Sequence, residues 1–149
     1  MRGKPVYARR IEKLANACFL ASPNIPWISA SQFLDRNDQK EWAIVDVRSP
    51  RERAVSVIPG SKSLEDFEAQ GKKFTDTPIL VYCTVGCRSG AYTQKLREQG
   101  FDAFNLRGGV LAWALEGKEF VTTNGRSTRD VHVHGARQGV LPPGYKAVR

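Results

Sequence analysis

Cys83 and Arg88 are the residues of this chain best suited to act on a substrate together. They bound the loop Cys83-Thr84-Val85-Gly86-Cys87-Arg88. The apolar run Pro78-Ile79-Leu80-Val81-Tyr82 precedes it and suits a buried strand. Ser89 to Gln99 then reads as a helix, with Ala91, Tyr92 and Leu96 on one face and Gly100 as its stop. The thiol therefore falls where a strand ends and a helix begins. The N–H groups of residues 84 to 88 have no helical carbonyl to meet there. They are free to curl around whatever Cys83 carries, at the positive end of the helix dipole. A free cysteine has a pKa of about 8.5, and a helix N-terminus or a nearby cation lowers it. Arg88 supplies the cation, with a fork that fits oxyanions. A thiolate in such a nest is a nucleophile for an anionic electrophile.

Stepping outward, Trp42-Ala43-Ile44-Val45 reads as a second buried strand ending at Asp46. Asp46 and Arg48 then lie at a strand's carboxyl end, where open α/β sheets collect ligand sites. Their expected role is structural: holding the loop, or pairing with Glu52. Trp27-Ile28 suits a short edge strand, and Ser29 or Ser31 can cap a brief helix through Phe33 and Leu34. Ser63 to Gln70 suits a short helix with Leu64 and Phe67 inward. Ala103 to Leu106 is another strand, and Arg107-Gly108-Gly109 turns into a helix carrying Val110, Trp113 and Ala114. Asn37 to Lys40 reads as a polar turn. Strands alternating with helices imply a mostly parallel sheet covered by helices on both faces, an α/β fold.

Three segments carry a family resemblance. Ile44-Val45-Asp46-Val47-Arg48-Ser49-Pro50 with Glu52 and Ile58-Pro59-Gly60-Ser61 resembles the opening signature of a rhodanese-like domain. Tyr82-Cys83 through Arg88-Ser89-Gly90 is similar to its active-site loop. Asn105-Leu106-Arg107-Gly108-Gly109-Val110-Leu111-Ala112-Trp113 with Glu116-Gly117 is similar to its closing signature. The family often has histidine where Val57 stands, so one polar contact is missing here. The resemblance implies a rhodanese-like α/β fold and a single-domain thiosulfate sulfurtransferase. Cys83 is then the catalytic nucleophile, and Thr84, Val85, Gly86, Cys87 and Arg88 bind the substrate. A six-residue loop goes with sulfur transfer in this resemblance. A phosphatase relative on the same fold carries one residue more. No cofactor or metal is expected. The implied partners are a small anionic sulfur donor and a thiol or protein acceptor, with the chain a monomer or weak homodimer. The rival functions are a binding or regulatory module whose persulfide chemistry is idle, and a thiol redox enzyme in which Cys87 resolves Cys83.

The remaining features set boundaries. Residues 25–120 form the expected domain, 1–24 a basic amphipathic helical extension and 121–149 a basic tail, lying on the domain or partly disordered. The net charge of +8 sits at the ends: residues 25–117 carry twelve basic and twelve acidic side chains, and each flank has an excess of four basic ones. Neither end has a dense basic run with interleaved aromatics, which argues against nucleic acid. No apolar run approaches membrane-spanning length. In residues 6 to 19, Tyr7, Ile11, Leu14, Ala15, Cys18 and Phe19 share one helical side. The expected role is a helix packed on the domain; a transit-type segment is the rival. Three cysteines suggest no disulfide framework and a reducing compartment, cytoplasmic or an organelle matrix. Cys18 is expected to be buried and inert. Cys83 and Cys87 with His132 and His134 could be set out as zinc ligands, but histidine-x-histidine fits no common finger. The histidines are expected in a strand or on the surface.

Overall fold

A strand such as Ile79–Tyr82, buried and apolar throughout, needs a helix over each face, and the helical connections that supply this cover leave the strands running in parallel. A computed structural model describes residues 3–36, 41–135 and 139–149. The expected polar turn at 37–40 lies outside them. In chain order the elements are α1 (Val6–Ala21), β1 (Trp27–Ser29), α2 (Ala30–Leu34), β2 (Ala43–Asp46), α3 (Pro50–Val55), β3 (Lys62–Ser63) and α4 (Leu64–Ala69). They continue with β4 (Ile79–Tyr82), α5 (Cys87–Glu98), β5 (Ala103–Arg107), α6 (Gly109–Leu115) and the short strands β6 (Phe120–Val121), β7 (Ser127–Thr128), β8 (Asp130–His132) and β9 (Lys146–Val148). The main sheet runs β1-β5-β4-β2-β3, and every pairing in it is parallel.

Alternation along the central strand divides the core. Leu80 and Tyr82 of β4 join Phe33, Leu106, Leu111 and Phe120 on one face. Ile79 and Val81 join Phe67, Leu96 and Ala103 on the other. Thus α2 and α6 cover one face and α4 and α5 the other. All four residues of β4 are fully buried, which explains an apolar run without a polar partner at every second position. Ser29, Ser49 and Ser63 cap α2, α3 and α4, each accepting from the amide three residues on.

The flanks also take up structure. α1 buries Ala8, Ile11, Ala15 and Cys18, and it contacts both α5 and α6. It therefore passes around the β1 edge and protects it. Leu14, expected on the apolar side, is exposed. Beyond α6, β6 pairs with β7 and β8 with β9, and Val131, Val133 and Val140 enter the core. Ser56 Oγ donates to the Asp130 carbonyl at 2.6 Å, fastening this segment to α3. Val57, in the place of the family's histidine, forms a backbone bridge to Val121. No helix among the described residues is long and apolar enough to cross a membrane.

One expectation is overturned: Cys18 and Cys87 form a disulfide across 69 residues. Helical apolar periodicity placed Cys18 inside correctly, but no sequence spacing says that α1 folds back onto the start of α5. A link closing a chain loop of this length contributes about 4 kcal/mol by restricting the unfolded chain.

Candidate active site

β4 delivers Cys83 to the carboxyl edge of the sheet, beside Asp46 at the end of β2. Gly86 caps α5 with φ 127°, a conformation that strains any other residue. That turn points two backbone amides and one hydroxyl at the thiol. Gly86 N–H donates to Cys83 Sγ at 3.1 Å, Ser89 N–H at 3.4 Å and Ser89 Oγ–H at 3.3 Å. Cys83 is buried, with a free thiol, and faces these donors. Negative charge on its sulfur, or on a second sulfur attached to it, is met by fixed dipoles rather than by water.

The carbonyls on the loop's other side need partners, and α6 provides them. Val110 N–H donates to the Cys83 carbonyl at 3.1 Å and Leu111 N–H to that of Thr84 at 3.3 Å. Gly109 (φ 52°) lies so close that a Cβ there would overlap both carbonyl oxygens. The Asn105 amide donates to the Gly86 carbonyl at 2.9 Å, so β5 also supports the turn. With its carbonyls held outward, the loop presents its N–H groups inward.

The cation stands in a clamp. Arg88 donates through both terminal nitrogens to Glu52, at 2.8 and 2.7 Å, and to Thr84 Oγ1 at 3.1 Å. The Arg88 side chain is 35% exposed and Glu52 only 2%. Burial alone would raise the Glu52 pKa, but Arg88 and the Ser49 amide outweigh it and hold the carboxyl well below the usual range. The same contact raises the Arg88 pKa, so its charge is permanent.

A titration follows. The folded pKa of Glu52 lies below the unfolded one, roughly 4.3, so its stabilising contribution is complete above that value and lost as pH falls through the folded value. The melting-temperature gap between wild type and Glu52→Gln is thus expected to be widest above about pH 5 and to narrow towards pH 3. A gap that stays constant on acidification would show that the carboxylate charge is not what the clamp uses.

Asp46 and Arg48 sit together in a buried network. Arg48 forks onto Asp46 at 3.0 and 2.8 Å, Arg53 adds a contact at 2.9 Å, and Tyr82 Oη–H donates to the same carboxylate at 2.7 Å. Burial, reinforced by Asp46, raises the Tyr82 pKa and keeps the phenol protonated. This buried network ties the ends of β2 and β4 together. Neither Asp46 nor Arg48 pairs with Glu52, which is committed to Arg88.

Of the loop residues expected to bind substrate, Gly86 donates to the sulfur and Arg88 and Thr84 form the clamp. Val85 packs against the core instead. Cys87 is exposed and bonded to Cys18, not positioned to resolve Cys83. Of the expected amide cradle of residues 84 to 88, Gly86 alone donates to the sulfur among the described hydrogen bonds, and Ser89, just beyond that range, supplies the other donors. The helix begins two residues earlier than expected and buries Ser89, Gly90, Thr93 and Leu96, leaving Ala91 exposed. Small polar residues face inward there because β5 and the end of α1 approach closely: a Cβ on Gly90 would sit 3.3 Å from Asn105 and 3.4 Å from Ser22.

Glu52, Ser89 and His134 lie at the site in other roles than the sequence suggested, where Glu52 is a partner for Asp46 or Arg48, Ser89 only part of the loop resemblance and His134 a strand or surface residue and a poor zinc ligand. Glu52 had a signal, standing three residues after Ser49 in a capping box. His134 had none. Its Nδ1 lies 3.2 Å from Glu52, across a cleft of about 420 Å3 lined by Arg51, His132 and Arg149 as well. His132 is buried in β8; burial lowers its pKa, and its Nδ1 accepts from the His134 amide at 3.0 Å. No cluster of three or more potential metal ligands occurs among the described residues.

A model of the rhodanese-like domain family matches residues 29–116. The chain belongs to this family. It is 32% identical over 93 residues to a sulfurtransferase of Allochromatium vinosum, a match covering 59% of this chain and 86% of that protein. It is 39% identical over 69 residues to a tRNA sulfurtransferase of Desulfurococcus amylolyticus, covering 45% of this chain and only 14% of the relative. Among solved structures, thiosulfate sulfurtransferase from Pseudomonas aeruginosa superposes with a TM-score of 0.62 and 26% identity over 78% of this chain and 24% of that one. The family model stops short of both α1 and the β8–β9 segment, so Cys18 and His134 lie outside the matched stretch.

Proposed function

We propose that this rhodanese-like protein is a thiosulfate sulfurtransferase that carries a sulfane sulfur as a Cys83 persulfide. The observation that carries the reading is the convergence of Gly86 N–H, Ser89 N–H and Ser89 Oγ–H on one buried sulfur. Cys83 thiolate attacks the outer sulfur of thiosulfate. The new bond is Cys83 Sγ–S; the bond broken is S–S, and its electron pair leaves with sulfite. The charge is the same on both sides of this step: thiolate and thiosulfate dianion become persulfide anion and sulfite dianion. Arg88, held at the rim by Glu52 and Thr84, faces the departing oxyanion with its half-exposed guanidinium. An acceptor thiolate or cyanide then takes the outer sulfur and returns Cys83 to its thiolate.

The cycle uses no cofactor. The donor is a small anion and the acceptor a thiol or cyanide, with a protein thiol one form of it; neither nucleic acid nor a membrane takes part, and the protein works as a monomer or weak homodimer. A cytoplasmic setting, or an organelle matrix, belongs to the same reading. The intact nucleophile and clamp favour catalysis over a binding module, and the Cys18–Cys87 bond weighs against a Cys83–Cys87 redox couple. Treatment with thiosulfate is expected to add about 32 Da, one sulfur atom, to Cys83, and cyanide to remove it with release of thiocyanate. An unchanged intact mass would overturn the reading.

A further inference from the structure

Cys87 stands between the two residues whose amides hold the reactive sulfur, Gly86 on one side and, two positions on, Ser89. Its own sulfur is bonded to Cys18, on a helix outside the stretch that matches the family. The packing around that bond is close. A Cβ on Gly86 would meet Trp27 at 3.3 Å, the Leu106 carbonyl at 3.6 Å and Cys18 Cβ at 3.8 Å. α1 is therefore the outer wall of the loop, and the disulfide locks that wall to the segment carrying the sulfur's donors. The two ends of the bond differ in access: Cys87 is exposed, whereas Cys18 is only 5% exposed.

We propose that Cys18–Cys87 is a reversible thiol–disulfide exchange site that takes a dithiol reductant and sets the activity of the Cys83 loop. The first thiolate of the dithiol attacks the accessible sulfur, that of Cys87. The S–S bond breaks, and Cys18 leaves with the electron pair and takes up a proton. The mixed disulfide sits on the active loop, next to Arg88. The second thiol of the dithiol then attacks its own sulfur in that bond, and Cys87 leaves as a thiolate. The protein gains two thiols, and the dithiol becomes a disulfide. With the lock open, the loop keeps non-covalent support alone, from Asn105 at Gly86 and from α6 at Cys83 and Thr84. The oxidised form is the competent one, because donors must be fixed in place before charge moves onto the sulfur. This also reconciles a disulfide with a reducing setting, since the bond then reports the supply of dithiols rather than serving as a permanent staple.

The activity arm of the test rests on the sulfurtransferase reading; the labelling arms do not. The full chain is prepared oxidised, and a second portion is reduced with dithiothreitol and desalted without oxygen. Alkylation under denaturing conditions is expected to find one thiol in the first and three in the second. Thiosulfate–cyanide turnover, and the rate at which iodoacetate labels Cys83 in the native protein, are each expected to change at least about fivefold between the two forms, with turnover higher in the oxidised one. Reoxidation restores the first values. Cys18→Ala, with Cys18→Ser as a second version should packing suffer, is expected to keep the reduced-form values in either condition. Equal turnover and equal labelling rates in the two forms would overturn the switch, as would three free thiols in protein never exposed to reductant. Should neither form turn over, the thiosulfate reading fails, and the labelling rates alone decide the switch: a fivefold difference supports it and equality sinks it.

Discussion

Cys83→Ser is expected to reduce sulfur transfer to the uncatalysed background, a loss of at least about a thousandfold in kcat/KM, with little change in folding. Serine is close to cysteine in size, and its hydroxyl can accept from the same donors with its two lone pairs. It does not ionise near neutrality, and an oxygen cannot hold the transferable sulfur as a persulfide. The effect therefore separates the nucleophile from the cradle. A thiosulfate–cyanide assay on both proteins, with circular dichroism to establish folding, checks it. Comparable rates would mean that another group carries the sulfur, and the donors around Cys83 would then be packing alone.

Gly109→Ala is expected to cost activity nearly as much, by a different route. Residue 109 is at φ 52°, where side chains are strained, and its missing Cβ is the space into which the Cys83 and Thr84 carbonyls fit. The obstacle is backbone on both sides, so no rotamer change relieves it. Either α6 moves away from the loop, or the carbonyls turn and carry their amides with them. Val110 N–H and Leu111 N–H lose their acceptors in both cases. We expect a fall in kcat of at least about a hundredfold, the scale of losing one oriented donor from an anion site, with a destabilisation of about 1–3 kcal/mol. Chemical denaturation and steady-state kinetics measure the two parts. Wild-type kinetics in the variant would show that the loop's orientation does not depend on α6.

These variants also mark how far local pattern reached. Ile79 to Tyr82 was legible as a strand because a sheet covered on both faces demands a continuous apolar run. The register of Cys83 behind it follows from chain order alone, and so does Gly100 as the end of α5. The inward face of α5 was legible in part: Leu96 is buried and Tyr92 packs on the core, whereas Ala91 is exposed and Ser89, Gly90 and Thr93 face inward. Over its first turns β5 and the end of α1 come so close that small residues, Ser89, Gly90 and Thr93, fit beneath. The strand-end position of Asp46 and Arg48 points to a ligand site, and their structural reading rests on ion pairs outnumbering catalytic pairs; their partners, Arg53 and Tyr82, come from α3 and a neighbouring strand.

Residue order by itself determined where the candidate nucleophile Cys83 and the cation Arg88 stand on a strand–loop–helix, because those relations are short-range and set by backbone stereochemistry. Tertiary structure alone decided what surrounds them. Glu52 meets Arg88 across 36 positions, His134 reaches Glu52 from a segment beyond the family match, and Cys18 meets Cys87 across 69. Contacts of that span depend on how the helices pass around the sheet edge, and neither periodicity nor spacing encodes that path.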